Sequence, residues 1–373
     1  MRDLPDFPWD SLAPYQARAS SHARGLIDLS VGTPVDPTPA VIRDALAAAS
    51  DAPGYPATIG TATLREAVVD WFARRRGVPG LDPAGVIPTV GSKELVAWLP
   101  TLLGLGPGDL VGFPAVAYPT YDVGARLAGA TPLPVTGLTG LGPPTAATTP
   151  KLLWLNSPGN PDGTVLGVGH LRKVVDWARR HGVIVASDEC YAELDWRLER
   201  DAGDPPTTPS LLDPRVTGGD ASGLLVAYSL SKQSSAAGYR AAFLAGDPAL
   251  VGRVAEVRKH AGMMMPAPVQ RAMVATLGDD AHVAAQVERY RRRRATLAPA
   301  VEAFGLRIDG SAAGLYLWAT AGTDCWETLA TLAERGILVA AGSFYGEAGR
   351  RHVRIALTAS DDQIAEAAAR LSR

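Results

Sequence analysis

The sequence predicts an α/β fold in which a mostly parallel β-sheet lies between two layers of helices. Two patterns in the 373 residues support this prediction. Short, almost continuously apolar runs alternate with segments of helical periodicity, and strands that are buried on both faces of a parallel sheet have that composition. After Pro266 the pattern changes to a long helical segment and a smaller α+β region. We therefore expect a large domain over residues 46–268 and a small domain formed by residues 1–45 and 269–373.

The elements of the large domain follow from apolar runs, helical periods and turn-forming residues. Buried strands are predicted at 86–90, 110–113, 152–155, 183–186, 224–228 and 242–245. Helices are predicted from Ser92 onward, over 120–127 and over 168–180. Segments rich in proline, threonine and glycine predict surface loops at 136–150 and 201–223.

The small domain is predicted to begin with one long helix that runs from 269 to 294. Two strands, at 314–318 and 353–357, are expected to follow it. The first 45 residues or so are expected to pack on this region rather than to form a unit of their own.

Composition excludes several classes of protein. The net charge of −2 argues against a basic face for nucleic acid. The apolar stretch at 95–105 is too short to span a bilayer and contains Pro100, and the N-terminus lacks a signal-peptide pattern. Cys190 and Cys325 have no partner spacing, which predicts a reducing, cytoplasmic location, and the six histidines have no metal-ligand spacing.

Reactive side chains follow the predicted strands, where ligand sites of parallel sheets lie. Lys232, one of only five lysines, has small or hydroxylic neighbours and little nearby charge. A partly desolvated lysine has a lowered pKa and is a better amine nucleophile. The alternative is an ordinary surface lysine.

Three polar residues follow two neighbouring predicted strands. Asp188 suits a salt bridge to a protonated ring nitrogen, or it is a loop or N-cap aspartate. Tyr191 could donate to a ring oxygen, or it is a half-buried aromatic. Asn160 lies in a turn with two asparagines and two prolines, which suggests an amide aimed at a ligand, although a plain turn is the alternative.

A phosphate site is predicted from Arg240, Ser229, Ser231 and the helix that opens at Gly91-Ser92, with an ordinary start capped by Ser92 as the alternative for the helix. Tyr118 could stack on a ring or belong to the core. Arg354 lies inside an apolar strand, so it binds either a substrate carboxylate or a structural Asp or Glu.

Together these residues supply what pyridoxal phosphate requires: a lysine, a carboxylate for the pyridine nitrogen, and cations with backbone amides for the phosphate. The ordered set is specific, although no single residue is. The chain has no P-loop, no Rossmann glycine motif after a strand and no G-x-S-x-G elbow.

With these motifs, the chain resembles the class I/II aminotransferases of the fold-type I pyridoxal phosphate family. The resemblance extends from Asp28-Leu29-Ser30-Val31-Gly32-Thr33-Pro34 through residues 54–61 to residues 351–359. Within the family it is most similar to the actinobacterial N-succinyldiaminopimelate aminotransferases, over residues 4–10, 91–105, 117–129, 258–270 and 313–320.

The resemblance implies a role for each site residue. Lys232 would form the Schiff base and shuttle the proton between Cα and the coenzyme, with Asp188 on the pyridine nitrogen. Asn160 and Tyr191 would bind the 3′-oxygen, and Tyr118 would stack on the ring. The phosphate would be held by Ser92, the Lys93 main chain, Ser229, Ser231, Arg240 and, from the neighbouring subunit of a homodimer with shared active sites, Tyr55. The α-carboxylate would be bound by Arg354, Asn160 and the main chain at Gly32.

The chain departs from the family pattern at Asp162, where threonine is usual, and at Ala341, where proline is usual. The resemblance implies amino transfer between glutamate and N-succinyl-2-amino-6-oxopimelate, in lysine and diaminopimelate synthesis. Alternatives are an aminotransferase for aromatic or other amino acids, another fold-type I reaction such as that of a β-lyase, and a non-catalytic ligand sensor. Positional candidates for binding the distal acid are His260, Met263 to Met265 and Tyr345.

Overall fold

The computed structural model describes residues 4–141, 144–145, 148–197 and 208–372. Parts of both predicted loops, 136–150 and 201–223, lie outside these residues. Within the described parts, the first loop contains a short 3₁₀ turn at Leu138–Leu141 and the second contains a four-residue helix at Pro214–Thr217. That helix was not predicted; it begins where the Asp213 side chain accepts the Arg215 backbone N–H.

Strands form three sheets in the described residues. They are β1 (Ile27–Asp28), β2 (Val86–Val90), β3 (Leu110–Pro114), β4 (Thr131–Val135), β5 (Leu152–Asn156), β6 (Ile184–Asp188), β7 (Leu224–Ser229), β8 (Ala241–Gly246), β9 (Arg307–Gly310), β10 (Tyr316–Thr320), β11 (Ile337–Leu338), β12 (Ala340–Ala341) and β13 (Val353–Ala356). The seven-stranded sheet has the order β2-β8-β7-β6-β5-β3-β4, and its strands are parallel except β8. The predicted α/β class with a mostly parallel sheet is therefore confirmed.

Helices cover both faces of this sheet and surround the smaller ones. They are α1 (Ala13–Ser20), α2 (Ala40–Ala48), α3 (Ala62–Arg76), α4 (Ser92–Leu102), α5 (Thr120–Ala128), α6 (Val168–His181), α7 (Pro214–Thr217), α8 (Pro248–Ala261), α9 (Ala267–Gly278), α10 (Ala281–Ala303), α11 (Cys325–Glu334) and α12 (Asp361–Leu371). Apolar side chains of α3 and α6 pack with one face of the strands, and those of α4, α5 and α8 with the other. This two-sided burial is why the strands are almost continuously apolar.

Strand β8 determines which strand ends lie together at one end of the large sheet. It runs antiparallel between β2 and β7, with Val90 paired to Ala241 and Ser229 paired to Ala242. The end of β2, the start of β8 and the end of β7 therefore lie side by side at the same end of the sheet. The residues just outside these strands, Gly91, Arg240 and Leu230, become neighbours in space.

The predicted long helix over 269–294 is wrong as a single helix. The structure has α9 and α10 instead, separated at Asp279, whose backbone is extended. The Asp279 carboxylate accepts the backbone N–H of Ala281 at 2.7 Å. Aspartate side chains that bind nearby backbone N–H groups favour a helix start over a continued helix.

The C-terminal region contains a four-stranded antiparallel sheet, β12-β13-β10-β9. The N-terminal segment packs on it as expected: β1 pairs in parallel with β11, and Leu12, Ile27 and Leu29 belong to its core. The division into two domains at 46 and 268 stays a prediction. In the described part of the chain, no helix is both long and apolar enough to cross a membrane.

Candidate active site

A cavity of about 510 Å³ lies at the end of the large sheet where β2 and β7 end and β8 begins. Every predicted site residue except Tyr55 lines it. These residues are Gly32, Ser92, Lys93, Tyr118, Asn160, Asp188, Tyr191, Ser229, Ser231, Lys232, Arg240 and Arg354. Residues more than 320 positions apart in the chain therefore share one cavity, because strand ends and the N-terminal segment converge there.

Lys232 follows β7 and carries the amine of the site. Its Nζ donates to the Gly32 carbonyl oxygen. Burial lowers the pKa of Lys232, and the nearby Arg354 and Arg240 charges act in the same direction. A lysine with a lowered pKa carries more of the neutral, nucleophilic amine at neutral pH.

Asp188 is the last residue of β6 and carries the buried carboxylate of the site. Its Oδ2 accepts from the Tyr121 hydroxyl at 3.1 Å, and its Oδ1 accepts from the Cys190 backbone N–H at 3.2 Å. Burial raises the pKa of Asp188, and the hydrogen bonds from Cys190 and Tyr121, which act to lower it, do not offset the effect of burial. A cationic partner in the cavity would reverse that shift, because an opposite charge stabilises the carboxylate.

The corner for a phosphate is built around β8. Gly91, with φ of +83°, precedes α4, and a Cβ atom there would overlap the Arg240 guanidinium. Arg240 itself has φ of +54°, rare for a residue with a side chain. At the end of β7, next to β8, Ser229 Oγ donates to Ser231 Oγ at 2.8 Å. Ser92 is the first residue of α4 and Gly91 is its N-cap, so the alternative with Ser92 as cap is wrong.

In the turn after β5, the side-chain amides of Asn156 and Asn160 have different roles. Asn156 holds the turn: its Nδ2 donates to the carbonyls of Pro158 and Asp188, and its Oδ1 accepts from the Asn160 backbone N–H. Asn160 Oδ1 accepts from Arg354 Nη1 at 2.9 Å. The departure at Asp162 is local, because its carboxylate accepts from the Thr164 backbone N–H and hydroxyl.

Arg354 is buried in the middle of β13 and points into the cavity. Nη2 donates to the Ser30 carbonyl at 2.7 Å, and Nε has no hydrogen-bond partner within the described part of the chain. Among the described residues, no Asp or Glu pairs with it. Of the two interpretations left open, the structural ion pair is therefore absent from the described chain, and the guanidinium is available to an anion in the cavity.

Several residues that were not predicted also line the cavity. Tyr316 places its ring centroid 4.0 Å from the Arg354 guanidinium and its hydroxyl 3.0 Å from that of Tyr191. Phe7 and Trp9 come from the N-terminal segment, and Cys190 lies between Asp188 and Tyr191. The register of β10 against β13, which pairs Tyr316 with Ala356 and Trp318 with Arg354, places Tyr316 and Arg354 on one face of the sheet, and no signal in the sequence gives that register.

Some candidates lie elsewhere. Tyr55 is 96% exposed and outside the cavity of its own chain. Neither His260 nor Met263 to Met265 lines the cavity, and Met265 is part of the core. Tyr345 is buried with its ring centroid 5.1 Å from the Arg354 guanidinium.

A sequence model of the family "Aminotransferase class I and II" matches residues 24–371. The chain belongs to this family. Its enzymes are transaminases that use pyridoxal phosphate. The residues of this cavity fit that coenzyme: one buried amine, one buried carboxylate, a guanidinium beside a glycine with no room for a side chain, and a second guanidinium that has no carboxylate partner among the described residues.

This aminotransferase is 59% identical over 369 residues to the "Probable aminotransferase Rv1178" of Mycobacterium tuberculosis, covering 99% of this chain and 85% of that protein. It is 56% identical to the 4-dedimethylamino-4-oxo-anhydrotetracycline transaminase OxyQ of Streptomyces rimosus, over the full length of both. A solved structure from Thermus thermophilus, titled "probable N-succinyldiaminopimelate aminotransferase", is 30% identical with a TM-score of 0.84, covering 98% of this chain and 99% of that one.

Proposed function

We propose that this aminotransferase moves the amino group of glutamate to N-succinyl-2-amino-6-oxopimelate, forming N-succinyl-L,L-diaminopimelate in diaminopimelate and lysine synthesis. The observation that carries the proposal is that Arg354 inside the cavity and Lys93 at its rim, the two lining cations to which no coenzyme-binding side-chain role is assigned, have no carboxylate partner among the described residues. Both substrates carry an α-carboxylate and a second, distal acid. The similarity to the Thermus thermophilus structure supports the same substrate.

Arg354 would bind the α-carboxylate. Its guanidinium is desolvated, stacked at 4.0 Å from the Tyr316 ring centroid and held by Asn160 and Ser30. A planar, fixed guanidinium binds a carboxylate in two-point geometry and so orients the neighbouring Cα. The Gly32 carbonyl, which accepts from Lys232, belongs to the same short segment as Ser30.

Pyridoxal phosphate, when bound, supplies the electron sink for the amino transfer. Asp188 would hold the proton on the ring nitrogen, while Tyr191 and Asn160 would donate to the ring oxygen. Tyr118 would stack on the ring, and Ser92, Ser229, Ser231, Arg240 and the Lys93 main chain would bind the phosphate. Lys232 Nζ would carry the coenzyme and then move the proton at the substrate Cα.

Lys93 would reach the distal acid with its side chain. Lys93 is exposed, and its Nζ lies 5.3 Å from the Phe7 ring centroid. Phe7 in turn packs on Trp9 at 5.6 Å, and the Arg354 guanidinium lies 5.9 Å from the Trp9 ring. These ring contacts connect the two cations along one wall of the cavity.

The aromatic side chains that line the cavity also favour a second candidate function, transamination of an amino or oxo compound with a large planar ring system. Phe7, Trp9, Tyr118 and Tyr316 line the cavity together, and aromatic rings stack on planar ligands. The relative with full-length coverage, OxyQ, is named for such a substrate.

We further propose a homodimer in which Tyr55 of each subunit reaches the phosphate of the other. Tyr55 is fully exposed and lies in the segment between α2 and α3. A cytoplasmic location fits the two free thiols, Cys190 and Cys325.

The test is the visible spectrum of the coenzyme-loaded protein after addition of N-succinyl-L,L-diaminopimelate, glutamate or an aromatic amino acid. Loss of the lysine-bound coenzyme band with the first two compounds supports the proposal. Reaction with glutamate alone excludes the diaminopimelate substrate, and then a planar oxo acceptor is tested. Pyruvate and ammonia without an acceptor would indicate a β-lyase.

Lys232→Ala should abolish the band of the lysine-bound coenzyme. The matched control is Lys259→Ala, because Lys259 is exposed and pairs with Glu256. Retained absorbance and activity in Lys232→Ala would contradict the assignment of Lys232.

A further inference from the structure

Tyr316 contacts two residues of the candidate active site, Tyr191 and Arg354. It is the first residue of β10 and is buried, with its hydroxyl 3.0 Å from the Tyr191 hydroxyl. Its ring lies 4.0 Å from the Arg354 guanidinium. The ring contact and the hydroxyl contact are separable, because phenylalanine would keep the first and lose the second.

The surroundings of Tyr316 leave its hydroxyl little choice of position. A Cβ atom at Gly32 would overlap the Tyr316 hydroxyl, so the backbone there packs directly against it. The Tyr191 and Tyr316 rings meet nearly edge-on, with centroids 5.7 Å apart. The hydroxyl is thus held between the Gly32 backbone and the Tyr191 hydroxyl.

The charges around the two hydroxyls differ. Burial by itself would raise the pKa of Tyr316, but the positive charges of Arg354 and Lys232 and the hydrogen bond with Tyr191 outweigh it and lower the pKa. Burial, followed by the influence of Tyr316, raises the pKa of Tyr191. At 3.0 Å either hydroxyl can be the donor, and the cations Arg354 and Lys232 beside Tyr316 favour its proton pointing away from them, toward Tyr191. The titratable groups that face the pair are Lys232, Arg354, Cys190 and Tyr118.

We propose that Tyr316 is a positioning residue: its hydroxyl donates to the Tyr191 oxygen and thereby leaves the Tyr191 proton directed at the coenzyme ring oxygen. The proposal rests on the proposed role of Tyr191. If the Tyr191 oxygen accepts from Tyr316, its single O–H stays free to donate into the cavity that Tyr191 lines. The Tyr316 ring meanwhile packs on the Arg354 guanidinium, which lies 4.0 Å from the ring centroid, and so supports the group proposed to bind the substrate carboxylate.

A hydrogen bond to the ring oxygen stabilises the anionic oxygen and so competes with the proton on the lysine–coenzyme nitrogen. Weakening it should raise the pH at which that nitrogen loses its proton. A typical net hydrogen-bond contribution of about 0.5–1.5 kcal/mol corresponds to a shift of roughly half to one pH unit. The shift is read from the absorbance of the resting protein and needs no substrate.

The matched control is Tyr345→Phe. Tyr345 is also buried and also packs on Arg354, at 5.1 Å, but its hydroxyl has no hydrogen-bond partner among the residues that the structure describes. Removing that hydroxyl should leave the spectral midpoint unchanged. Removing the Tyr316 hydroxyl should shift it, although both variants lose one phenolic oxygen near the same guanidinium.

The experiment is a pH titration of the visible spectrum of coenzyme-loaded wild type, Tyr316→Phe and Tyr345→Phe, with coenzyme content and thermal unfolding as folding controls. We expect an upward shift of about half a unit or more for Tyr316→Phe only. KM for the amino donor should change less than two-fold, since the ring contact with Arg354 remains. A wild-type midpoint in Tyr316→Phe would overturn the proposal, as would equal shifts in both variants. Because no substrate is added, failure of the diaminopimelate assignment would leave this result intact; a wild type without a lysine-bound band would overturn both.

Discussion

At the scale of single residues, Arg354 is the residue whose surroundings say most about the reaction. A buried guanidinium costs desolvation energy and is normally paired with a carboxylate. In the described chain its partners are instead Asn160, the Ser30 carbonyl and aromatic rings. We propose that a substrate carboxylate supplies the missing charge, so that the free protein keeps this binding site at some cost in stability.

Arg354→Gln should therefore lower kcat/KM for every amino acid donor on the order of 100-fold, since one charged two-point contact is lost. KM should account for most of the loss, and the spectrum of the resting coenzyme should stay close to that of the wild type. Steady-state kinetics with glutamate measures this. Arg351→Gln is the control, because Arg351 lies three residues earlier, is exposed, and donates to the Gly322 carbonyl. Equal losses in both variants would contradict a carboxylate role for Arg354.

At the scale of elements, the site depends on where strands end. The sequence pattern ends the predicted strands at 186 and 228, whereas β6 reaches Asp188 and β7 reaches Ser229. Apolar runs stop at the first polar residue, but the backbone hydrogen bonds continue past it. Asp188 and Ser229 are consequently held by the sheet itself rather than by a loop, which fixes their side chains more rigidly.

A buried ion pair ties α3 to the end of β6. Arg76, the last residue of α3, donates to Glu189 at 3.0 Å, and the two side chains are 0% and 1% exposed. Arg76→Met should destabilise the protein by about 3–5 kcal/mol, because it leaves a buried carboxylate unpaired. Chemical denaturation at neutral pH measures this.

Two variants complete that test. Arg76→Met combined with Glu189→Gln should recover much of the loss, since no buried charge remains unpaired. Arg74→Met removes the half-exposed pair with Asp280 and should cost about 1 kcal/mol or less. A loss in Arg76→Met no larger than that in Arg74→Met would rule out a structural role for the pair.

At the scale of the whole molecule, the N-terminal segment joins the large sheet's site to the C-terminal region. Asp36 accepts from Arg293 Nη1 and Nη2 at 2.9 and 2.6 Å and from Gln286 at 2.8 Å, both on α10. Burial would raise the pKa of Asp36, but these hydrogen bonds and the arginine charges outweigh it and lower the pKa. The segment that carries Gly32 and Ser30 is anchored four to six residues away.

The lowered pKa predicts a pH dependence of stability. A carboxylate with a depressed folded pKa stabilises the protein above its unfolded pKa of about 3.9 and loses that contribution as pH falls through the folded value. The stability difference between wild type and Asp36→Asn should therefore be constant above about pH 5 and shrink below pH 4. Denaturant midpoints from pH 7 to 3 measure it. Asp44→Asn, at an exposed position of α2, should show no such change.

The proposed homodimer is the other test at this scale. We expect the protein to sediment at twice the 39.0 kDa mass of one chain. Tyr55→Phe should weaken coenzyme binding several-fold through loss of one phosphate hydrogen bond, without changing the sedimented mass. Tyr15→Phe, whose ring packs on Trp326 within its own chain, is the control. A monomer with wild-type coenzyme affinity in Tyr55→Phe would refute the shared site.

Most of the candidate site was predictable because its members follow strands, and strand ends of a parallel sheet share an edge. Lys232, Asp188, Asn160 and Arg354 stood out as polar residues beside or within apolar runs. Tyr316, Phe7 and Trp9 did not, since an aromatic residue in an apolar context has no local mark that distinguishes a cavity wall from a core.

The sequence by itself determined the class of fold, six of the seven strands of the large sheet and the chemistry available at the strand ends, because hydrophobic periodicity and residue type are local properties. The tertiary structure decided which of these groups meet. The antiparallel β8 brings Arg240 against Gly91, the Asp279 side chain divides one predicted helix into two, and β10 pairs with β13 to set Tyr316 against Arg354. These are long-range contacts, and no local pattern encodes the register that produces them.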